Sequence, residues 1–138
     1  MTLNDRTAAT TTTRVRRTCA DILERLSDES RRALERWCRI VNLDSTYLGG
    51  RGRMREQMSV AARAWDELPL AAQSAYLSLL NSVVFELVDA IRAVGVPEAE
   101  REIDAVKVLL GPDHPALRVI PAYALVHAFE EAMEEIRS

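Results

Sequence analysis

The apolar pattern over residues 72–91 constrains this chain more than any other feature. Ala72, Ala75, Tyr76, Leu79, Leu80, Val83, Val84, Leu87, Val88 and Ile91 recur at three- and four-residue spacings and cover more than one face of the helix they define. A helix with one apolar stripe lies against a core, whereas one that is apolar on several sides needs neighbours on two or three of them. The pattern predicts a long central helix ringed by others. Pro69 suits its start and Gly95 its stop, because the residue before a proline is pushed out of helical geometry and glycine accepts the backbone that ends a helix.

Shorter amphipathic segments flank it. Over residues 13–26, Val15, Cys19, Ile22, Leu23 and Leu26 share one side of a first helix. Ser27 is placed to cap a second, its hydroxyl accepting an orphan amide, with Asp28 and Glu29 where the helix dipole favours negative charge. Leu34, Trp37, Cys38 and Val41 form the stripe of that helix, and residues 42–52 read as a connection with a short turn around Tyr47-Leu48. A third helix over 53–67 turns Met54, Met58, Ala61, Ala62 and Trp65 inward. Pro97 opens a fifth, packed through Ile103, Val106, Leu109 and Leu110 and stopped by Gly111-Pro112. After a turn-rich connection over 111–120, a last helix over 121–137 faces the core with Leu125, Val126, Phe129, Met133 and Ile136. No segment alternates as a strand does. The expected fold is all-α, an irregular bundle of five to six helices around the long central one. Residues 1–12 are expected to form a flexible tail and residues 13–138 a single helical domain.

Charge is strongly polarised along the chain. Residues 1–65 hold thirteen Arg against eight Asp and Glu, while residues 66–138 hold five basic side chains against thirteen acidic ones. Such a dipole can steer a charged partner toward one end or mate two copies head to tail, without specifying chemistry. Seventeen of the eighteen basic residues are Arg, a ratio that fits a coding bias as well as phosphate or carboxylate forks.

Two basic groups are candidates for anion or nucleic-acid contact. Gly49-Gly50-Arg51-Gly52-Arg53 combines glycine turns with guanidinium groups beside a helix start, which is the recipe for a phosphate site. It lacks the Lys-Ser or Lys-Thr ending of a phosphate loop, and no strand precedes it. Arg32, Arg36 and Arg39 fall on one side of the second helix, and Arg14 and Arg17 lie on the first. Together with Gly50, Arg51 and Arg53 they could track a phosphate backbone. Interspersed Glu29, Glu35 and Glu56 weigh against that, as do aromatics at only 5% of the chain, too few for a base-stacking platform.

The acidic end carries His127, Glu130, Glu131 and Glu134 on one broad helix face, with Glu86 and Asp89 sharing another on the long helix. A two-metal carboxylate site needs ligands from four helices and repeated Glu-x-x-His pairs, and a single reversed His-x-x-Glu does not supply them. Glu130 and Glu134 fit a solvent face or a contact with a basic partner. His114 stands between Asp113 and Pro115, but adjacent side chains rarely face each other, and no Ser or Cys can be matched to it as a nucleophile. Trp37 and Trp65 fit the core, and either becomes an interface anchor if exposed. Cys19 and Cys38 sit on apolar stripes as small buried hydrophobes.

The longest apolar region is interrupted by Asn81, Glu86, Asp89 and Arg92, so no membrane span is expected, and nothing at the N-terminus reads as a signal peptide. These readings converge on a non-enzymatic cytoplasmic interaction or regulatory module without cofactor. Its expected partner is a protein, or itself as a homo-oligomer. The alternative is a nucleic-acid or nucleoprotein accessory subunit acting through the basic N-terminal half.

Overall fold

A computed structural model describes residues 17–46, 51–101 and 105–138, with side chains described outside 42–58 and 105. The expected tail at 1–12 lies outside these residues. The described residues form α1 (residues 17–24), α2 (Asp28–Thr46), α3 (Arg51–Asp66), α4 (Leu70–Val94), α5 (Val96–Glu100), α6 (Ala105–Leu110), α7 (Ala116–Val119) and α8 (Ala122–Arg137), with the remaining described residues in short connections. Eight helical segments among the described residues replace the five to six expected. The difference has two sources. The expected connection over 111–120 winds a four-residue turn of helix, α7, and the expected fifth helix is represented by α5 and α6. The second helix also continues through Thr46, past the expected exit at Asn42.

The local punctuation acts where the residue types require it. Ser27 Oγ accepts the Ser30 amide at 3.2 Å and caps α2. The Arg31 guanidinium donates to the Leu23 carbonyl at 2.6 Å, satisfying the end of α1 from the next helix. Pro69 is the residue before α4, and the turn around it is held by the Gln73 side chain, whose Nε2 donates to the Trp65 carbonyl at 2.7 Å. Gly95 ends α4 with φ 96° and ψ 141°, a backbone conformation that L side chains rarely adopt, while its N–H bonds Ile91 O at 2.7 Å.

α4 is the centre. Leu79, Val83, Leu87 and Ile91 are fully buried, and α4 packs on α2, α5, α6, α7 and most extensively on α8. Its buried stripe is paired with Leu125, Ala128, Phe129, Ala132 and Met133 of α8. The two helices run parallel. Tyr76 and Tyr123 lie near one another at their starts, and residues 81–92 share a groove with residues 131–138 near their ends. The Arg137–Glu100 ion pair joins the end of α8 to the helix that follows α4, as that arrangement requires. α2 is fastened at the other end of the pair. Trp37 packs tilted against Trp65 and edge-to-face against Tyr76 at centroid distances of 4.9 and 4.8 Å, its Nε1 donates to Ala61 O at 3.2 Å, and the Cys38 thiol donates to the Val119 carbonyl. Ala62, expected inward, is exposed, because α3 turns Ala61 and Trp65 to this cluster and leaves Ala62 on its outer side.

Candidate interaction surfaces

Parallel packing of α4 and α8 leaves an open groove of about 660 Å³ along their C-terminal halves. Its floor is apolar: Val84 and Val88 lie beneath, and Phe85 is 52% exposed. Its rim is acidic, with Asp89 from α4 and Glu131, Glu134 and Glu135 from α8, against the single cation Arg92. Among the described residues no ion pair neutralises any of these five. The helix dipoles sharpen the imbalance. Both C-terminal ends point the same way, and a helix C-terminus favours cations; Arg92 and Arg137 obey this, yet α8 also carries Glu131, Glu134 and Glu135 in its last two turns. Carboxylates placed against the dipole destabilise the isolated fold slightly, and local rules broken on the surface mark places where something else is served.

The second surface lies on α2. Leu34, Trp37, Cys38 and Val41 take its inner side, so Arg32, Arg36 and Arg39 stand outward and exposed, with Ile40 beside Arg36 and 38% exposed. No described carboxylate lies within ion-pair distance of the three guanidinium groups.

The other expected contacts distribute as follows. Arg17 is exposed at the start of α1. Arg14 and Gly50 lie outside the described residues; Arg51 and Arg53 open α3 with side chains outside them. Glu134 lines the groove, and Glu130 is exposed on the same helix without lining it. Trp37 is 5% exposed and Trp65 half-buried, with Tyr76 completing a three-ring cluster at the α2–α3–α4 junction. Trp37 therefore offers its ring to the core.

Glu86 does not share a surface with Asp89. It is 1% exposed, and its Oε2 lies 2.6 Å from His114 Nε2, itself fully buried. The stripe Ala72, Tyr76, Leu79, Val83, Glu86, Ala90 explains this: the spacing alternates four, three, four, three, four and carries the carboxylate into the core. His114 finds its partner there and not in Asp113, which is exposed. Cys19 is also close enough for Glu86 to act on it: burial first, and the Glu86 charge second, push its thiol from 9.0 up to about 12. A sulfur so strongly held in the thiol form, with no exposure, is a poor nucleophile. Cys38 is pushed up to about 12 as well, by burial and then by Glu35. Among the described residues no group of three or more His, Cys, Asp or Glu could hold a metal ion, and no helix is long and apolar enough to cross a membrane.

Sequence reasoning missed Val84, Phe85 and Arg92 as parts of a surface. Val84 belongs to the multi-sided apolar pattern of α4, whereas Phe85 falls outside that pattern, and a single apolar residue off the stripe carries no signal of a groove.

No known protein family, curated protein or solved structure matches this chain.

Proposed function

We propose that this chain is a non-enzymatic intracellular protein-interaction module whose docking surface is the α4–α8 groove. The observation that carries the reading is the combination in one groove of an apolar floor, Val84, Phe85 and Val88, with four unneutralised carboxylates around it. Such a site suits an amphipathic segment that presents arginines around an apolar side chain: the core of the contact supplies affinity, and the rim supplies steering and register. Cys19 and Cys38, both free and buried, accord with an intracellular setting.

A synthetic arginine-rich amphipathic helical peptide with a fluorescent label tests this. Saturable binding at about 0.02 M salt, weakened at about 0.5 M and lost in a Glu131→Arg/Glu134→Arg variant, supports the reading. Absence of binding at the lower salt overturns it.

A second reading has its own support in the exposed arginines at positions 32, 36 and 39, one face of α2 without ion-pair partners among the described residues. A phosphate backbone would suit that face. Tight DNA or RNA binding near 0.15 M salt (about physiological) that weakens on reversing Arg36, Arg51 and Arg53 would place it first.

A further inference from the structure

The acidic groove and the arginine face of α2 belong to the same molecule and complement one another. The groove gathers in one lining the α8 carboxylates at 131, 134 and 135 and the exposed Phe85 of α4. The face sets guanidinium groups at 32, 36 and 39 along one side of α2, with the exposed Ile40 at its C-terminal edge, one turn from Arg36. Three cations spread over two turns of one helix are thus opposite in sign to three anions spread over a little more than one turn of another, and each set has an exposed apolar side chain beside it. Neither set is neutralised within the described fold. Trp37 and Cys38 fasten α2 near the starts of α4 and α8, whereas the groove opens along their C-terminal halves.

We infer that the groove of one molecule takes the Arg32, Arg36, Arg39 and Ile40 face of α2 from a second copy of this chain. The proposal rests on the protein-docking reading of the groove and names its partner. The two surfaces differ, so the contact is heterologous: each molecule donates a face to one neighbour and a groove to another, and assembly continues head to tail unless a ring closes. The covering arginines would also meet the negative ends of both helix dipoles.

Sedimentation velocity of the full chain tests this. The average mass should rise with concentration at about 0.02 M salt, and the apparent dissociation constant should increase about tenfold or more by 0.5 M. An Arg36→Glu/Arg39→Glu variant loses its face but keeps its groove. A Glu131→Arg/Glu134→Arg variant loses its groove but keeps its face. Each alone should stay monomeric, and their mixture should give a two-chain species that grows no further. A variant carrying all four reversals should associate again, because the charges of both surfaces have changed together, and this recovery shows that the single-surface variants fail through charge and not through misfolding. A parent chain that remains monomeric throughout, a single-surface variant that associates as the parent does, or a mixture without a two-chain species overturns the proposal. If the arginine-rich peptide still occupies the groove of a monomeric parent, self-association falls and the docking reading stands; if neither is observed, both fall.

Discussion

His114 and Glu86 meet inside the core, Nε2 to Oε2 at 2.6 Å, tying the turn before α7 to the middle of α4. The other ring nitrogen, Nδ1, accepts the Ala116 amide at 3.1 Å, which assigns the proton of a neutral ring to Nε2, the side facing the carboxylate. The contact is close but out of line, since neither Glu86 oxygen nor Nε2 has a hydrogen bond of good geometry. Burying such a pair brings little net stability, whereas removing one partner leaves the other stranded.

His114→Ala should therefore cost about 3–5 kcal/mol, because Glu86 stays buried after losing the imidazole that faces it. Adding Glu86→Leu to that variant should recover part of the loss, giving a coupling of about 0.5–3 kcal/mol in a double-mutant cycle. Urea unfolding of the four proteins measures it. Strict additivity would mean the two side chains stabilise the fold independently.

The centre of α4 makes a sharper contrast between neighbours. Leu79→Ala or Leu87→Ala should cost about 2–5 kcal/mol, since each side chain is fully buried and leaves a cavity. Leu77→Ala, on a side chain that is 51% exposed, should stay within about 0.5 kcal/mol. Equal losses at 77 and 79 would sink the assignment of α4's faces.

Gly95 isolates a backbone effect. A Cβ added there meets nothing within 4 Å, so Gly95→Ala involves no clash and its cost is the strain of φ 96° alone. Holding an L-residue in that conformation costs about 1–3 kcal/mol. A neutral substitution in thermal or denaturant unfolding would show that the C-terminus of α4 relaxes freely.

The two thiols impose an alkaline limit. Their values stand at about 12 in the fold against 9.0 ordinarily, so the unfolded chain ionises first as pH rises. Their stabilising contribution is complete below pH 9 and is lost between 9 and 12, each thiol removing about 1.4 kcal/mol per pH unit within that window. Tyr76, raised chiefly by burial, adds to the decline above its ordinary 10.0. Urea unfolding from about pH 8 to about pH 10.5 should show a shallower slope in Cys19→Ala/Cys38→Ala than in the parent. Thiol labelling of the native chain should be slow and should accelerate on unfolding.

The carboxylates at the end of α8 should act against the fold that carries them. Glu134→Gln and Glu135→Gln should raise the thermal midpoint of the monomer at low salt, since each removes a negative charge from the negative end of the helix. A lowered midpoint would show that these side chains stabilise their own helix.

What the sequence made legible was local or periodic. Ser27, Pro69 and Gly95 act through their own backbone and hydroxyl chemistry, so their roles follow from residue type alone. The multi-sided pattern of α4 announced its central place for the same reason. Pairings across the fold were harder. The spacing that buries Glu86 was present, but a carboxylate is ordinarily a solvent residue, and its partner lies twenty-eight positions away in a turn. The groove was invisible because it depends on α4 and α8 running side by side in the same direction, which no residue pattern encodes. α7 was missed because four residues are too few for a helical period.

That parallel alignment also sets an order of events in the life of the molecule. Synthesis delivers α4 well before its principal covering, Ala122–Arg137, and the intervening α5, α6 and α7 must cross back the length of the pair before α8 can settle. While a ribosome still holds the last helix, the stripe of Leu79, Val83 and Leu87 has no α8 to lie against. The emerging polypeptide thus passes through an interval with a greasy flank uncovered, the kind of exposure that favours aggregation.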